Sequence, residues 1–338
     1  MHFAFLSFRP FAVDFRRYLM QALQSLGYPC VHVFLGRGAM EARNVEDPDI
    51  AISLESLAET ATYLRRFFGA GQGVIVNSAG NSAPDVVLRL WTKLRNYVWV
   101  YDVYDWMLYD ATGLKRLQWW LTDRIYRSIA SCCCVLSKDL RASYPRSFHL
   151  DNASHLVPGK YPQSFDKRVV TTASFDRRTD FELLRSFAEE APDIVLDLYG
   201  SIYADDPETA CAIDRLTTER KNVLYHGKFE FDQLQEILAG YRIGLVPYRS
   251  ADVMTRYINP DKLFHYLCAG IEVVTTPIPA TSYLDPYVYQ ASDAAAIVGA
   301  IRQITVLGER RNPCNLHERL NWQTRAREFC TSIEAFAG

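Results

Sequence analysis

Neither sign of charge dominates the 338 residues: 37 Lys and Arg stand against 39 Asp and Glu, a formal net charge of −2. Without a basic surplus the chain lacks the electrostatic footprint of a nucleic-acid binder, and no nucleic-acid partner is expected. No apolar run reaches the roughly 18 residues needed to cross a bilayer. Residues 1–20 carry Arg9, Asp14, Arg16 and Arg17 where a signal peptide would be apolar, so a cytoplasmic protein is expected. The eight cysteines form no Cys-x-x-Cys pair. Cys132, Cys133 and Cys134 are adjacent inside an apolar run, which predicts a buried strand with reduced thiols rather than a disulfide framework or a metal site. Also absent are a Gly-x-Gly-x-x-Gly after a strand, a P-loop and a Gly-x-Ser-x-Gly elbow, which counts against a dehydrogenase, a kinase and an α/β-hydrolase.

What is present is an ordinary globular composition, 49% apolar and 22% charged, in a chain long enough for two domains. Its charge is unevenly spread. Residues 1–150 hold 17 basic and 13 acidic side chains, and the remainder holds 20 and 26. Apolar runs alternate with stretches of helical spacing. Strands are predicted at 1–7, 30–35, 74–77, 97–103 and 129–136, with helices at 13–26, 54–68, 84–95 and 114–130 between them. A polar stretch at 151–166 with Pro158, Gly159 and Pro162 reads as a linker, after which the alternation restarts and runs to a strand near 273–275. The pattern predicts an α/β fold of two doubly wound, Rossmann-like domains with parallel sheets, facing each other across a cleft.

The most informative stretch is Asn259-Pro-Asp-Lys-Leu-Phe-His-Tyr-Leu-Cys-Ala-Gly270. Asn259 can cap a helix, Pro260 suits its first position and Gly270 can close it in a left-handed conformation. Lys262 and His265, three residues apart, share a face near the helix start. Free N–H groups, the helix dipole and an ammonium together favour a diphosphate. The same spacing also fits an ordinary surface helix with a solvated lysine.

This motif, followed by an apolar strand, resembles the nucleotide-sugar site of GT-B-fold glycosyltransferases, with a donor domain similar to that of glycosyltransferase family 4. The preceding segments agree in order: Thr171-Thr-Ala-Ser-Phe-Asp176, Asp180-Phe-Glu-Leu-Leu184, Asp197-Leu-Tyr-Gly200, Asn222-Val-Leu-Tyr-His-Gly227 and Gly244-Leu-Val-Pro-Tyr248. The resemblance covers most of residues 169–280. It implies an acceptor-binding domain over 1–155, a donor-binding domain over 166–315 and a C-terminal helix over 316–338 that crosses back to the first domain.

Carried onto this sequence, the resemblance implies that Lys262, beside Asp261 at the helix start, holds the donor diphosphate. Gly200 and Ser201 let the backbone approach the nucleotide, Gly227 and Lys228 lie where the base is met, and Tyr248 lines the same pocket. Arg177 and Arg178 lie where a phosphate-binding cation belongs. The position of His265 normally holds a glutamate that grips the ribose; an imidazole can donate one hydrogen bond and accept another, but cannot accept two. The co-substrate is then a nucleoside-diphosphate sugar, with no other cofactor, and the acceptor is a saccharide, lipid-linked in bacterial surface-polysaccharide assembly.

In the first domain, Tyr97-Val-Trp-Val-Tyr-Asp102 reads as a strand, and Asp105 lies just past its carboxyl end. The arrangement is similar to that of the xanthan-pathway glucuronosyltransferase group, which implies an inverting transfer with Asp105 as general base; Asp102 competes for the role. Alternatives are a retaining transferase of the same fold and a sugar-nucleotide-binding partner without catalysis, the latter raised by His265. Asp47-Pro-Asp49 imitates an Asp-x-Asp metal motif but lies in a polar loop, and no metal is expected. Finally, Lys93, Arg95, Lys115, Arg116, Trp119, Trp120, Arg124 and Arg127 combine cations with tryptophans, so peripheral contact with an anionic membrane surface is expected.

Overall fold

The computed structural model describes residues 1–36, 39–49, 51–78, 97–104, 112–159, 165–202, 206–313 and 315–337. The expected helix at 84–95, Lys93, Arg95 and Asp105 lie outside the described residues. The chain divides into two compact units, one of Met1–Asp151 with Trp322–Gly338 and one of Asn152–Asn321.

The first unit is built on an eight-stranded sheet of β1 (His2–Ser7), β2 (Cys30–Gly36), β3 (Ala39–Asn44), β4 (Ala51–Leu54), β5 (Gly73–Asn77), β6 (Val98–Val103), β7 (Cys132–Val135) and β8 (Ser147–His149), in the order β4-β3-β2-β1-β5-β6-β7-β8. Strands β2, β1, β5, β6, β7 and β8 run parallel. The expectation of a wholly parallel sheet fails at one edge, where β3 and β4 pair antiparallel. Residues 51–54 belong to this hairpin. The helix expected from residue 54 is therefore α2 (Leu57–Phe68), started by Ser56, whose hydroxyl accepts the Glu59 N–H. Asp47 and Asp49 lie in the β3–β4 connection. The parallel strands bury both faces and so read as continuous apolar runs, the cysteine run among them. Cys132, Cys133 and Cys134 are free and buried, and burial raises the first two thiols to about 12 and about 11. Helices α1 (Arg17–Ser25) and α3 (Gly113–Ile129) also belong to this unit, as does α10 (Trp322–Ala337), whose Phe329 packs on Phe3 and Phe148.

The second unit has a parallel six-stranded sheet of β9 (Arg168–Thr172), β10 (Val195–Tyr199), β11 (Val223–Gly227), β12 (Ile243–Val246), β13 (Glu272–Thr275) and β14 (Tyr289–Gln290), ordered β11-β10-β9-β12-β13-β14. Its helices are α4 (Phe181–Glu190), α5 (Pro207–Glu219), α6 (Leu234–Ala239), α7 (Asp261–Ala269), α8 (Ala294–Thr305) and α9 (Leu316–Arg319). Leu184, Phe187, Leu196, Leu198, Ile243, Ile297 and Ile301 form one apolar cluster between α4, α8 and the sheet. Each longer helix starts on a carboxylate: Asp180, Asp206 and Asp293 accept the N–H groups of Leu183, Thr209 and Ala296.

The segment expected to be a linker is instead partly core. Asn152, Ser154 and Leu156 are buried in the second unit, and Ser154 donates its N–H to the Leu320 carbonyl. The Asn152 amide and the Ser154 hydroxyl, which suggested solvent, bond internally to Asn259 and His265.

Candidate functional site

Strand order in the second unit reverses between β9 and β12, because β9 leads to β10 on one side while β12 lies on the other. The carboxyl ends of strands at such a point leave a crevice in which open α/β sheets bind ligands. Two loops leave the sheet there and are zipped together. Asp180 donates its N–H to the Pro247 carbonyl at 2.9 Å, and Arg249 donates to the Arg178 carbonyl at 2.9 Å. Thr179 and Tyr248 form the intervening antiparallel bridge.

Helix α7 brings Lys262 to this place. The Tyr266 hydroxyl accepts the Thr172 N–H at 2.6 Å and lies 3.1 Å from the Thr172 hydroxyl. Its ring lies so close to Gly244 that a Cβ there would stand 2.4 Å from it. At the far end Gly270 takes the left-handed conformation (φ 86°) and donates to Tyr266 and Leu267, as the sequence predicted. The first position differs. The immediate N-terminal flank is Pro260 without a side-chain cap, while Asn259 accepts the Asn152 N–H with its side chain and the Asn152 amide with its carbonyl. Asn259 therefore fastens the 152–156 segment and leaves the first turn of α7 uncapped.

Every residue from Lys262 to Ala269 is buried, so the surface-helix reading fails. The Lys262 side chain lies over the Tyr248 ring, with Nζ 4.6 Å from its centroid. Lys262 is 8% exposed, and its ammonium has no hydrogen-bond or ion-pair partner among the described residues. Burial depresses its pKa to about 8; the charges of Asp176 and Asp261 oppose the shift and that of Arg178 reinforces it. Burial likewise raises Tyr248. Arg178 is engaged by a carboxylate: its Nε and Nη2 donate to Asp176 at 2.8 and 2.6 Å. Arg177 is exposed and its backbone N–H bonds to Asp206.

His265 lies on the same helix but has different neighbours. Its Nδ1 is 2.9 Å from the Ser154 hydroxyl, and its ring meets Phe231 at 5.2 Å and His155 at 6.2 Å between centroids. Burial, with help from His155, lowers its pKa to about 3, which keeps it a neutral donor and acceptor. Phe231 follows Gly227 and Lys228 by a few residues, so His265 is linked to the predicted base region. Lys228 itself is exposed and paired with Glu230 at 3.0 Å. Gly227 (φ 75°) has open space where a Cβ would be, and its carbonyl accepts the Gly200 N–H. Gly200 (φ 145°) is required by packing. A Cβ there would stand 1.6 Å from the Ala173 carbonyl oxygen, while Ser201 accepts the Phe175 N–H. Asp261 is exposed in the first turn of α7.

Sequence reasoning gave no roles to Asp176, Tyr266, Ser154 and Phe231. The three-residue interval between Lys262 and His265 was a visible signal; that their side chains face different surroundings depends on contacts up to 111 residues distant in the chain.

The first unit has its own reversal, between β1 and β5. There Asp102, at 3% exposure, receives Arg16 in a fork: Nε to Oδ2 at 2.8 Å and Nη2 to Oδ1 at 2.7 Å. Ser78 adds a third donor at 2.9 Å. Burial by itself would lower the Arg16 pKa, but the Asp102 charge and hydrogen bonds prevail and raise it. Three donors thus occupy the Asp102 carboxylate, and Asp105 lies outside the described residues.

No family model matches the chain. A protein of Bacillus subtilis (strain 168), TuaH, named provisionally as a teichuronic acid biosynthesis glycosyltransferase, is 28% identical over 114 residues, 33% of this chain and 28% of that protein's length. The chain therefore matches only about a quarter of that relative. Among solved structures, Anabaena HepE in complex with UDP and glucose superposes with a TM-score of 0.67 at 12% identity, covering 99% of this chain and 100% of HepE. Sucrose-phosphate synthase from Thermosynechococcus elongatus gives 0.65 at 17% identity over 99% and 98% of the two chains. The fold is GT-B, with two Rossmann-like α/β units.

Removing Asp102 as Asp102→Ala should strand the Arg16 charge and destabilise the first unit by about 3 to 5 kcal/mol. The denaturant midpoint of that unit's unfolding reads this. A shift below about 1 kcal/mol would show the pair to be dispensable.

Proposed function

We propose that the chain is a glycosyltransferase that moves a sugar from a nucleoside-diphosphate sugar to a saccharide acceptor in bacterial surface-polysaccharide synthesis. The observation that carries this reading is the buried Lys262 ammonium, without a hydrogen-bonding partner among the described residues, at the strand-order reversal of a GT-B unit. A largely buried cation that no carboxylate of the described residues meets favours an anionic ligand, and a diphosphate is the counter-ion that the surrounding chemistry favours. The uncapped first turn of α7 offers N–H donors for the same anion. UDP and glucose in HepE and the polysaccharide role in the name of TuaH support the same class of donor and product.

In this reading Lys262 and the α7 N-terminus receive the negative charge that builds on the leaving diphosphate. Gly200, Ser201, Gly227 and Lys228 frame the nucleoside, Tyr248 supports the lysine, and His265 offers one nitrogen to the ribose. For inversion at the anomeric carbon, a carboxylate must take the proton of the acceptor hydroxyl as it attacks from the face opposite the diphosphate. Asp105 is proposed for that step, since it follows the strand bearing Asp102 while Asp102 is engaged by Arg16.

Replacing Lys262 by alanine should weaken UDP binding by about tenfold to a hundredfold, the worth of a charge-assisted hydrogen bond. Calorimetry gives the number, and unchanged affinity refutes the assignment. The pH dependence has a definite sign. With a free-protein pKa of about 8, the lysine is charged below that pH and neutral above it, and the anion favours the charged form. UDP affinity should therefore be flat between about pH 7 and pH 8, above the second phosphate pKa of about 6, and fall above about pH 8. Near pH 8 binding should take up a proton, seen as a dependence of the binding heat on the buffer. Asp105→Asn should abolish transfer while UDP affinity is kept; retained transfer would remove Asp105 from the base role, and the anomeric configuration of the wild-type product, read by NMR, tests inversion itself.

A further inference from the structure

Helix α3 of the first unit is turned outward to an unusual degree. Of its 17 residues only Asp123 and Tyr126 are buried. Asp123, its sole carboxylate, is held by Tyr101, Tyr144 and Arg127. On the opposite face Leu114, Leu117, Leu121 and Ile125 are 87%, 52%, 48% and 44% exposed, with Trp120 beside them at 43%. Their intervals of three, four and four residues place the aliphatic side chains in one stripe along the helix. Isolated exposed leucines need no explanation, but a contiguous stripe of this length does.

The charges around the stripe are of one sign. Lys115, Arg116 and Arg124 are exposed and make no ion pair among the described residues. Two of them lie over tryptophans, Lys115 at 4.8 Å from the Trp119 ring and Arg124 at 4.9 Å from that of Trp120. A second copy of this helix would bring like charges together, and a single helix face offers little of the roughly 800 Å² per partner that a stable protein interface buries. An anionic lipid surface fits on both counts. Its headgroups neutralise the flanking cations, its acyl boundary takes the stripe, and the exposed Trp120 indole suits the depth between.

We propose that α3 is a docking helix for an anionic bilayer surface, with Leu114, Leu117, Leu121 and Ile125 entering the boundary between headgroups and acyl chains and Lys115 and Arg124 at headgroup level. This rests on the first unit alone and is independent of the donor-site reading. No helix of the described residues is long and apolar enough to span a membrane, so the contact would be peripheral.

The test is co-sedimentation of the full chain with vesicles of phosphatidylcholine and phosphatidylglycerol, and with phosphatidylcholine alone. Binding is expected to the mixed vesicles at low salt, weaker as salt rises and much weaker without the anionic lipid. Leu117→Glu with Leu121→Glu should reduce partitioning by about tenfold or more. Lys115→Gln and Arg124→Gln should each reduce it roughly fivefold. Thermal unfolding of each variant, unchanged from wild type, shows that the fold survives these exposed substitutions. No binding to the mixed vesicles at low salt, or equal binding by wild type and the double glutamate variant, would overturn the proposal. A concentration-dependent dimer in the absence of lipid, abolished by the glutamates, would overturn it in favour of a second copy of the chain.

Discussion

The second unit turns on the hydrogen bond that the Thr172 N–H gives to the Tyr266 hydroxyl. It joins the end of the central strand β9 to the middle of α7, and it is possible only because Gly244 leaves no side chain between the Tyr266 ring and the sheet. Asn312 secures the other end of the helix by donating to the Leu267 and Ile271 carbonyls, and Asn259 with Asn152 secures its approach. Fixed at three places, α7 holds the Lys262 side chain largely buried beside Tyr248. The lowered Lys262 pKa is thus a consequence of how the helix is seated. A helix resting loosely on the surface would leave the same lysine solvated and its pKa ordinary.

The first unit solves the opposite problem with the same ingredients. Arg16 is almost wholly buried too, but it is met by a carboxylate in fork geometry. Such a pair adds little net stability beyond a well-packed apolar alternative, yet each partner becomes indispensable once the other is in place. One unit therefore buries a cation already neutralised, and the other buries a cation whose neighbouring carboxylate, Asp176, is already engaged by Arg178.

Much of this was legible in the sequence where the signal was local. The parallel strands announced themselves as apolar runs, the Gly270 terminus as a glycine after a helical pattern, and Lys262 as a cation near a helix start. What was not legible depended on partners distant in sequence. The β3–β4 hairpin has short edge strands whose polar residues face water and so mimic a loop. The 152–156 segment reads as a linker because its Asn and Ser are polar, but those side chains bond internally to Asn259 and His265. Asn259 had the right chemistry for a helix cap and was drawn away by a better-placed backbone. Gly200, assigned to nucleotide approach, is already demanded by the Ala173 carbonyl, so its presence alone does not argue for a ligand.

The charge distribution takes its meaning from the same distinction between local and total. Residues 151–338 carry 20 basic and 26 acidic side chains, an excess that should repel an anionic donor. Many of those charges are spent on one another at the surface: Arg185 with Glu182 and Glu189, Arg215 with Glu219, Arg220 with Glu189, Lys167 with Asp193. Exposed charges are screened over about 8 Å at physiological salt, so they contribute weakly to the field at a distant crevice. Lys262, largely buried, is screened less, and the dipole of α7 adds to its field over the first turn. At the carboxyl ends of β9 and β12 an approaching anion meets that local field before it meets the net charge. The acidic total sets how the unit behaves in bulk solution, while the field at the crevice is set locally by the Lys262 ammonium and the first turn of α7.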